Sequence, residues 1–207
     1  MDNFFCVRLL PGKGQKKVPA LGGDRRGEAC IALFRGGVVC SPSRVPDASV
    51  FLGIEDDGSL LLLDDGGNVL FRYRGMHGKE AGADFAFFPL GRFFCALATG
   101  PDLMAPEHAR CLSLAGADLL LAFLLPGESG KAPFEAVART RAAENRMFVL
   151  LADSSAPPAA FSPDGCEVLP SPAEGGGKEL RFSGDLLSQE RYEEVRRKDL
   201  SYFLTAL

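Results

Sequence analysis

The longest apolar stretch of the chain, Ala117 to Pro126, is interrupted only by Asp118. It falls well short of the ~20 apolar residues that a membrane-spanning helix requires. It therefore reads as a buried strand, and the segments around it say what covers it. A strand over 92–98 precedes a break at Gly100-Pro101 and a helix over 105–115. A second helix, 134–144, carries Phe134, Val137 and Ala138 on one side and leads to a strand from Met147 to Ala152. Apolar strands alternating with helices of this length point to crossover units within an α/β sheet.

Elsewhere the strands follow one another through turns. Phe4–Leu10 is a first strand, followed by a basic loop over 11–23. Asp24 is placed to cap a helix over 25–35, with Cys30, Leu33 and Phe34 on one face. Val38-Val39-Cys40 reads as a short strand. Strands Val50–Ile54 and Leu60–Leu63 flank the turn Glu55-Asp56-Asp57-Gly58, and Asp64 to Asn68 forms the next turn before a strand over 69–74. Further on, Phe161 to Val168 reads as a hairpin about Pro163-Asp164-Gly165. Ser171 to Lys178 reads as loop, Leu180–Phe182 as a last strand, and 187–198 as a charged helix. Crossovers in one part and hairpins in another predict an α/β sandwich with mixed sheets.

Among 207 residues, 23 Lys and Arg stand against 27 Asp and Glu, a formal net charge of -4, which lacks the footprint of a general nucleic-acid binder. With 46% hydrophobic and 24% charged residues the composition is globular. Asp2 stands where a signal peptide carries positive charge, and Arg8 interrupts the apolar run after it, so no cleaved signal is expected. The six Cys include no C-x-x-C pair and read as buried free thiols of a reducing, cytoplasmic compartment. His77 and His108 are far apart in sequence, so spacing gives no zinc motif; neither a metal nor a cofactor is expected. Gly12-Lys13 lacks the glycine spacing and the following Ser or Thr of a phosphate loop.

The block from 91 to 152 carries the more specific pattern. After strand 92–98 come Asp102, Pro106-Glu107, Arg110, then Gly116-Ala117 and an apolar strand. Arg141-Ala142-Ala143-Glu144-Asn145 follows, also before an apolar strand, and then Pro163-Asp164-Gly165. Upstream lies Tyr73-Arg74-Gly75-Met76-His77. In this order and spacing the motifs resemble the nitrilase (carbon–nitrogen hydrolase) superfamily over roughly residues 30–200. The resemblance implies an α-β-β-α sandwich with mixed sheets and a single, shortened domain over 1–207. It also implies chemistry on amide or nitrile carbon by a Cys nucleophile, a Glu base and a Lys that stabilises the oxyanion.

None of the three implied catalytic residues is present. The Cys position, two before Asp102, is Gly100, and the Lys position, two before His77, is Gly75. The Glu position falls on Ser43, or on Pro42 if the register slips by one. Glu107 matches an acidic residue near the family's site; helix-start capping and pairing with Arg110 is its plainer reading. The pocket implied by the resemblance is thus Ser43, Gly75, Gly100, Asp102 and Glu107. Cys95 and Cys40 are the candidates for a relocated nucleophile, with packing as their plainer role. The two histidines read as surface or structural hydrogen-bonding groups.

Three functions follow as expectations. The first is a protein of this fold without amidase chemistry, binding a small neutral ligand or serving in assembly. The second is a diverged carbon–nitrogen hydrolase with a relocated Cys. The third is a regulatory partner of an active relative. The resemblance also implies a homodimer through the 106–114 helix and the tail ending Tyr202-Phe203-Leu204. No nucleic-acid or membrane partner is expected.

Overall fold

The computed structural model describes residues 4–10, 29–34, 50–54, 59–63, 68–77, 81–90, 93–124, 133–153, 158–172 and 178–187. The strands are β1 (Phe4–Leu10), β2 (Ala29–Phe34), β3 (Val50–Ile54), β4 (Leu60–Leu63), β5 (Val69–Tyr73), β6 (Phe87–Leu90) and β7 (Phe93–Thr99). Helices α1 (Gly100–Met104) and α2 (Pro106–Leu114) follow, then β8 (Leu119–Leu124), α3 (Phe134–Asn145) and β9 (Phe148–Asp153). The last elements are β10 (Ala159–Phe161), β11 (Ser171–Pro172), β12 (Lys178–Ser183) and a 3-10 turn over Gly184–Leu186.

The apolar run at the centre of the sequence is β8, with all six residues buried. It pairs in parallel with β7 on one side and with β9 on the other, as a strand covered on both faces must. The five-stranded sheet runs β10-β9-β8-β7-β6. Its two faces read directly from the alternation of side chains. Cys95, Leu97, Leu119, Leu121, Phe123, Phe148 and Leu150 point into a core shared with Leu60, Leu62, Tyr73, Leu180 and Phe182 of the second sheet. Among the described residues that sheet has seven strands, in the order β11-β12-β1-β2-β3-β4-β5. Phe148 and Phe182 meet edge-to-face across the gap, with ring centroids 5.1 Å apart. On the other face Ala96, Ala98, Leu120, Ala122 and Val149 lie against Leu103, Ala109, Leu112, Ala138 and Ala142 of the helices. The many alanines let the helices approach closely. The described layers are therefore helix, sheet, sheet, with parallel and antiparallel pairs in both sheets. This is the expected α/β sandwich.

Several expectations need correction. Residues 29–34 form a strand, not part of a helix over 25–35. The run Ala-Cys-Ile-Ala-Leu-Phe is held in parallel register between β1 and β3, and its apolar spacing alone did not separate strand from buried helix. Gly100-Pro101 does not break the chain but opens α1, where a proline in the first turn loses no helical hydrogen bond. The helix expected over 105–115 is α2 alone, shorter by a residue at each end. Phe87–Leu90, for which no strand was expected, forms an edge strand whose position tolerates Pro89. The loop expected over 171–178 includes β11 and the first residue of β12. The expected Val38–Cys40 strand, the helix over 187–198 and the C-terminal tail lie outside the described residues, Leu187 excepted. No helix among the described residues is long and apolar enough to cross a membrane.

Chain direction at the end of α2 is set by Gly116, which adopts φ +100°. Its N–H donates to the Ser113 carbonyl at 2.9 Å, and that of Ala117 to the Leu112 carbonyl at 3.0 Å. The paired bonds close the helix as a Schellman motif and turn the chain into β8. Leu121→Ala, at the fully buried centre of β8, is expected to lower stability by about 2–5 kcal/mol. Val69→Ala, on an exposed part of β5, should stay within about 0.5 kcal/mol. Denaturant unfolding of both variants checks the layer assignment.

Candidate active site

The site lies at the carboxyl end of β7, where the chain turns into α1. Asp102 is the third residue of that helix and is fully buried. Its Oδ2 accepts the Thr99 backbone N–H at 2.9 Å, the Thr99 hydroxyl at 2.8 Å and the Tyr73 hydroxyl at 2.6 Å. Its Oδ1 accepts the His77 backbone N–H at 3.0 Å and His77 Nδ1 at 3.0 Å. Because an ionised carboxylate only accepts, this arrangement places a proton on His77 Nδ1. Burial pushes the Asp102 carboxyl upward. The bonds from Tyr73, Thr99 and His77 outweigh it and hold the group at about 2, against an ordinary 3.8. Burial, followed by the bond to Asp102, moves the Tyr73 phenol well above its usual range.

Arg141 fixes the other end of α1. Its side chain is largely buried, and its guanidinium donates from Nε to the Leu103 carbonyl and from Nη2 to the Met104 carbonyl, both at 3.1 Å. Glu144 orients it through Nη1 at 2.8 Å. Asn145 Nδ2 donates to the Arg141 carbonyl at 3.0 Å, and its own carbonyl accepts the Ser113 hydroxyl at 2.7 Å. The Arg-Ala-Ala-Glu-Asn segment thus acts as a clamp from α3 onto α1 and α2.

Gly75 and Gly100 are buried, and Gly75 lies against this network. A Cβ on Gly75 would meet Thr99 Oγ1 at 2.3 Å and Asp102 Oδ2 at 3.0 Å. Thr99 therefore fills the place through which any side chain at 75 would leave the backbone. Glu107 is exposed in the first turn of α2. Cys95 is fully buried in the core between the sheets; burial, then the charge of Asp118, pushes its thiol far above the ordinary range. Ser43, Pro42 and Cys40 lie outside the described residues.

The two histidines, distant in sequence, are neighbours in the fold. Their rings meet edge-to-face with centroids 5.5 Å apart. His77 is partly exposed, whereas His108 in α2 is 3% exposed and lies against Phe85, with ring centroids 5.2 Å apart and the planes tilted by 47°. Neither His108 ring nitrogen meets a partner at hydrogen-bond geometry. Burial and the nearby His77 favour its neutral form, against opposing contributions from Asp102 and the Leu97 backbone.

No family model matches the sequence, and no curated protein matches it. Solved structures do. An amidase of the nitrilase superfamily from Nesterenkonia AN1 superposes with a TM-score of 0.59 at 18% identity, covering 94% of this chain and 96% of that one. Saccharomyces cerevisiae Nit3, a member of branch 10 of that superfamily, gives 0.59 at 11% identity, covering 91% and 97%. The fold is that of the nitrilase superfamily. A further Nesterenkonia AN1 amidase structure, with a TM-score of 0.56 at 17% identity and covering 94% and 96%, carries the acetamide moiety of fluoroacetamide on its active-site cysteine. In the nitrilase-fold chain described here, the position that the motif resemblance gives to that residue type is Gly100.

Of the residues read as a pocket, Gly75 lies against Thr99 and Asp102, and Gly100 opens the helix that carries Asp102. Sequence reading missed Tyr73, Thr99 and the meeting of the two histidines. Thr99 carried a readable signal, a Thr three residues before an Asp at a helix start. Tyr73 sat in the quoted segment without a role for its hydroxyl. The histidine pair has no local signal, because it forms only when the segment after β5 packs against α2.

Asp102 supplies a pH test. A carboxyl held at about 2 in the folded chain and near 3.8 when unfolded adds stability above pH ~4, and that stability is lost as pH falls toward 2. Asp102→Asn is expected to cost about 3 kcal/mol at pH 7 and to flatten the loss of stability between about pH 5 and 2. Urea unfolding across that range measures both.

Proposed function

We propose that this nitrilase-fold protein has no thiol-based hydrolase activity and serves as a ligand-binding or assembly subunit. The reading is carried by Gly75, where Thr99 Oγ1 stands 2.3 Å from the point a side chain would have to occupy. Hydrolysis of a carbon–nitrogen bond on this fold needs a thiolate to attack, a carboxylate to take the thiol proton and a cation to stabilise the oxyanion. Gly75 and Gly100 have no side chain to offer, and Asp102 already accepts five hydrogen bonds from Tyr73, Thr99 and His77. Cys95 is a poor substitute nucleophile, because it is buried and faces the core between the sheets rather than the β7–α1 turn.

The ligand suited to such a place is small and neutral. Assembly is proposed as a homodimer through α2 and the C-terminal tail, α2 offering exposed Pro106, Glu107 and Cys111 beside exposed Met104. Pairing with an active relative through the same surface is the related alternative. Light scattering at micromolar concentration is expected to give twice the mass of the chain; a monomer would remove the homodimer proposal.

Activity is tested on the purified full chain with a panel of short aliphatic amides and nitriles. No turnover is expected. Turnover that iodoacetamide abolishes would overturn the proposal. Gly75→Ala is expected to destabilise the fold by about 1–3 kcal/mol through overpacking against Thr99. The double substitution Gly75→Lys, Gly100→Cys should restore no amidase activity.

A further inference from the structure

We propose that His77, Asp102 and His108 form a binding site for one divalent first-row transition cation of the zinc class. Each residue offers a donor atom, and the three atoms all lie within 4.8 Å of one another. Metal–ligand bonds of about 2.0–2.2 Å place neighbouring donors roughly 3.3–3.6 Å apart, so closing on an ion draws in donors that now lie as much as 4.8 Å apart, a shift within reach of side-chain rotation. The proposal does not depend on whether the chain hydrolyses amides, since none of the three residues is a nucleophile, and it leaves the absence of that chemistry untouched.

The independent observation is His108. The Leu97 backbone lies near the ring but neither nitrogen meets a partner at hydrogen-bond geometry, and an imidazole that is 3% exposed is costly to bury in that condition. A cation at the cluster would give one of those nitrogens its partner. The same cation fits the electrostatics, because Asp102 brings a full negative charge into a buried place surrounded by neutral donors. His77 Nδ1 and Asp102 Oδ1 are 3.0 Å apart, a separation that suits two adjacent ligands of one ion as well as it suits a hydrogen bond. On metal binding the Nδ1 proton leaves to solvent and the ion replaces it between the two groups. The partly exposed His77 provides the entry. Two imidazoles and one carboxylate favour zinc, cobalt, nickel or ferrous iron over calcium or magnesium, which prefer all-oxygen sites.

The test uses the full chain, stripped with a chelator and titrated with zinc against a chromophoric competitor, with thermal unfolding run in parallel. One zinc per chain and a raised Tm are expected. His108→Phe should weaken binding by at least about 100-fold and remove the zinc-dependent rise in Tm. The metal-free variant should be at least as stable as the parent, because phenylalanine leaves no buried nitrogen without a partner. His77→Ala, at a partly exposed position, should weaken binding similarly without loss of fold. Cobalt loading should give visible bands without the intense near-ultraviolet charge transfer of a thiolate, which separates this site from the exposed Cys111 and Cys166. No stoichiometric zinc at micromolar concentration, unchanged binding in either histidine variant, or a thiolate band would each overturn the proposal.

Discussion

A carboxylate with no exposure to water organises the end of the sandwich. Asp102 gathers donors from β5, from the residues just after it, and from the β7–α1 turn, so one side chain ties the edge strand of one sheet to the strand next to the edge of the other. Ionised carboxylates are expensive to bury unless every lone pair is used. Here five bonds to two oxygens use them, and the depressed titration of the group follows from that saturation. The Tyr73, Thr99 and His77 positions are thereby fixed by the acid, and the tight fit around Gly75 follows from where Thr99 must stand.

Helix α1 has five residues, too few to hold itself together in isolation. It is defined from both ends: Asp102 reaches back to Thr99, and Arg141 reaches across from α3 to its last carbonyls. A charged side chain buried against backbone oxygens makes sense where those oxygens have no helical partner left. The clamp places the β7–α1 turn rigidly whether or not a reactive group sits there. The groups that hold the turn are therefore Asp102 and Arg141, and neither Gly75 nor Gly100 contributes a side chain to it.

The layers were legible because β7, β8 and β9 are apolar on both faces and separated by helices, a pattern with few other solutions. Turn chemistry marked the β3–β4–β5 meander equally well. Reading failed where one signal served two structures. Ala29–Phe34 is short, apolar and flanked by a capping residue, and only its pairing with β1 and β3 decides that it is a strand. Gly100-Pro101 signals both a break and a helix start. Within the site, the motifs located Gly75, Gly100 and Asp102, since each keeps a fixed distance from a recognisable neighbour in sequence. The contacts of Asp102 with Tyr73 and His77 span two sheets, and no local pattern encodes them.

Removing a cationic side chain from beside a buried acid changes what the place can accept. If position 75 held an ammonium group, the pair would be near neutral and an oxyanion could be stabilised next to it. With Gly75, no ammonium group stands beside the negative charge of Asp102, and Tyr73 and Thr99 offer it only uncharged donors. Hydrogen bonds spread that charge but do not cancel it. An acyl oxyanion or a carboxylate ligand brought to the β7–α1 turn would meet repulsion in a low-dielectric setting, where it is poorly screened. Neutral molecules meet no such barrier, and cations meet an attraction. Gly75 and Gly100 thus leave the β7–α1 turn without a cation or thiol of their own, and the charge preference of the site is set by Asp102.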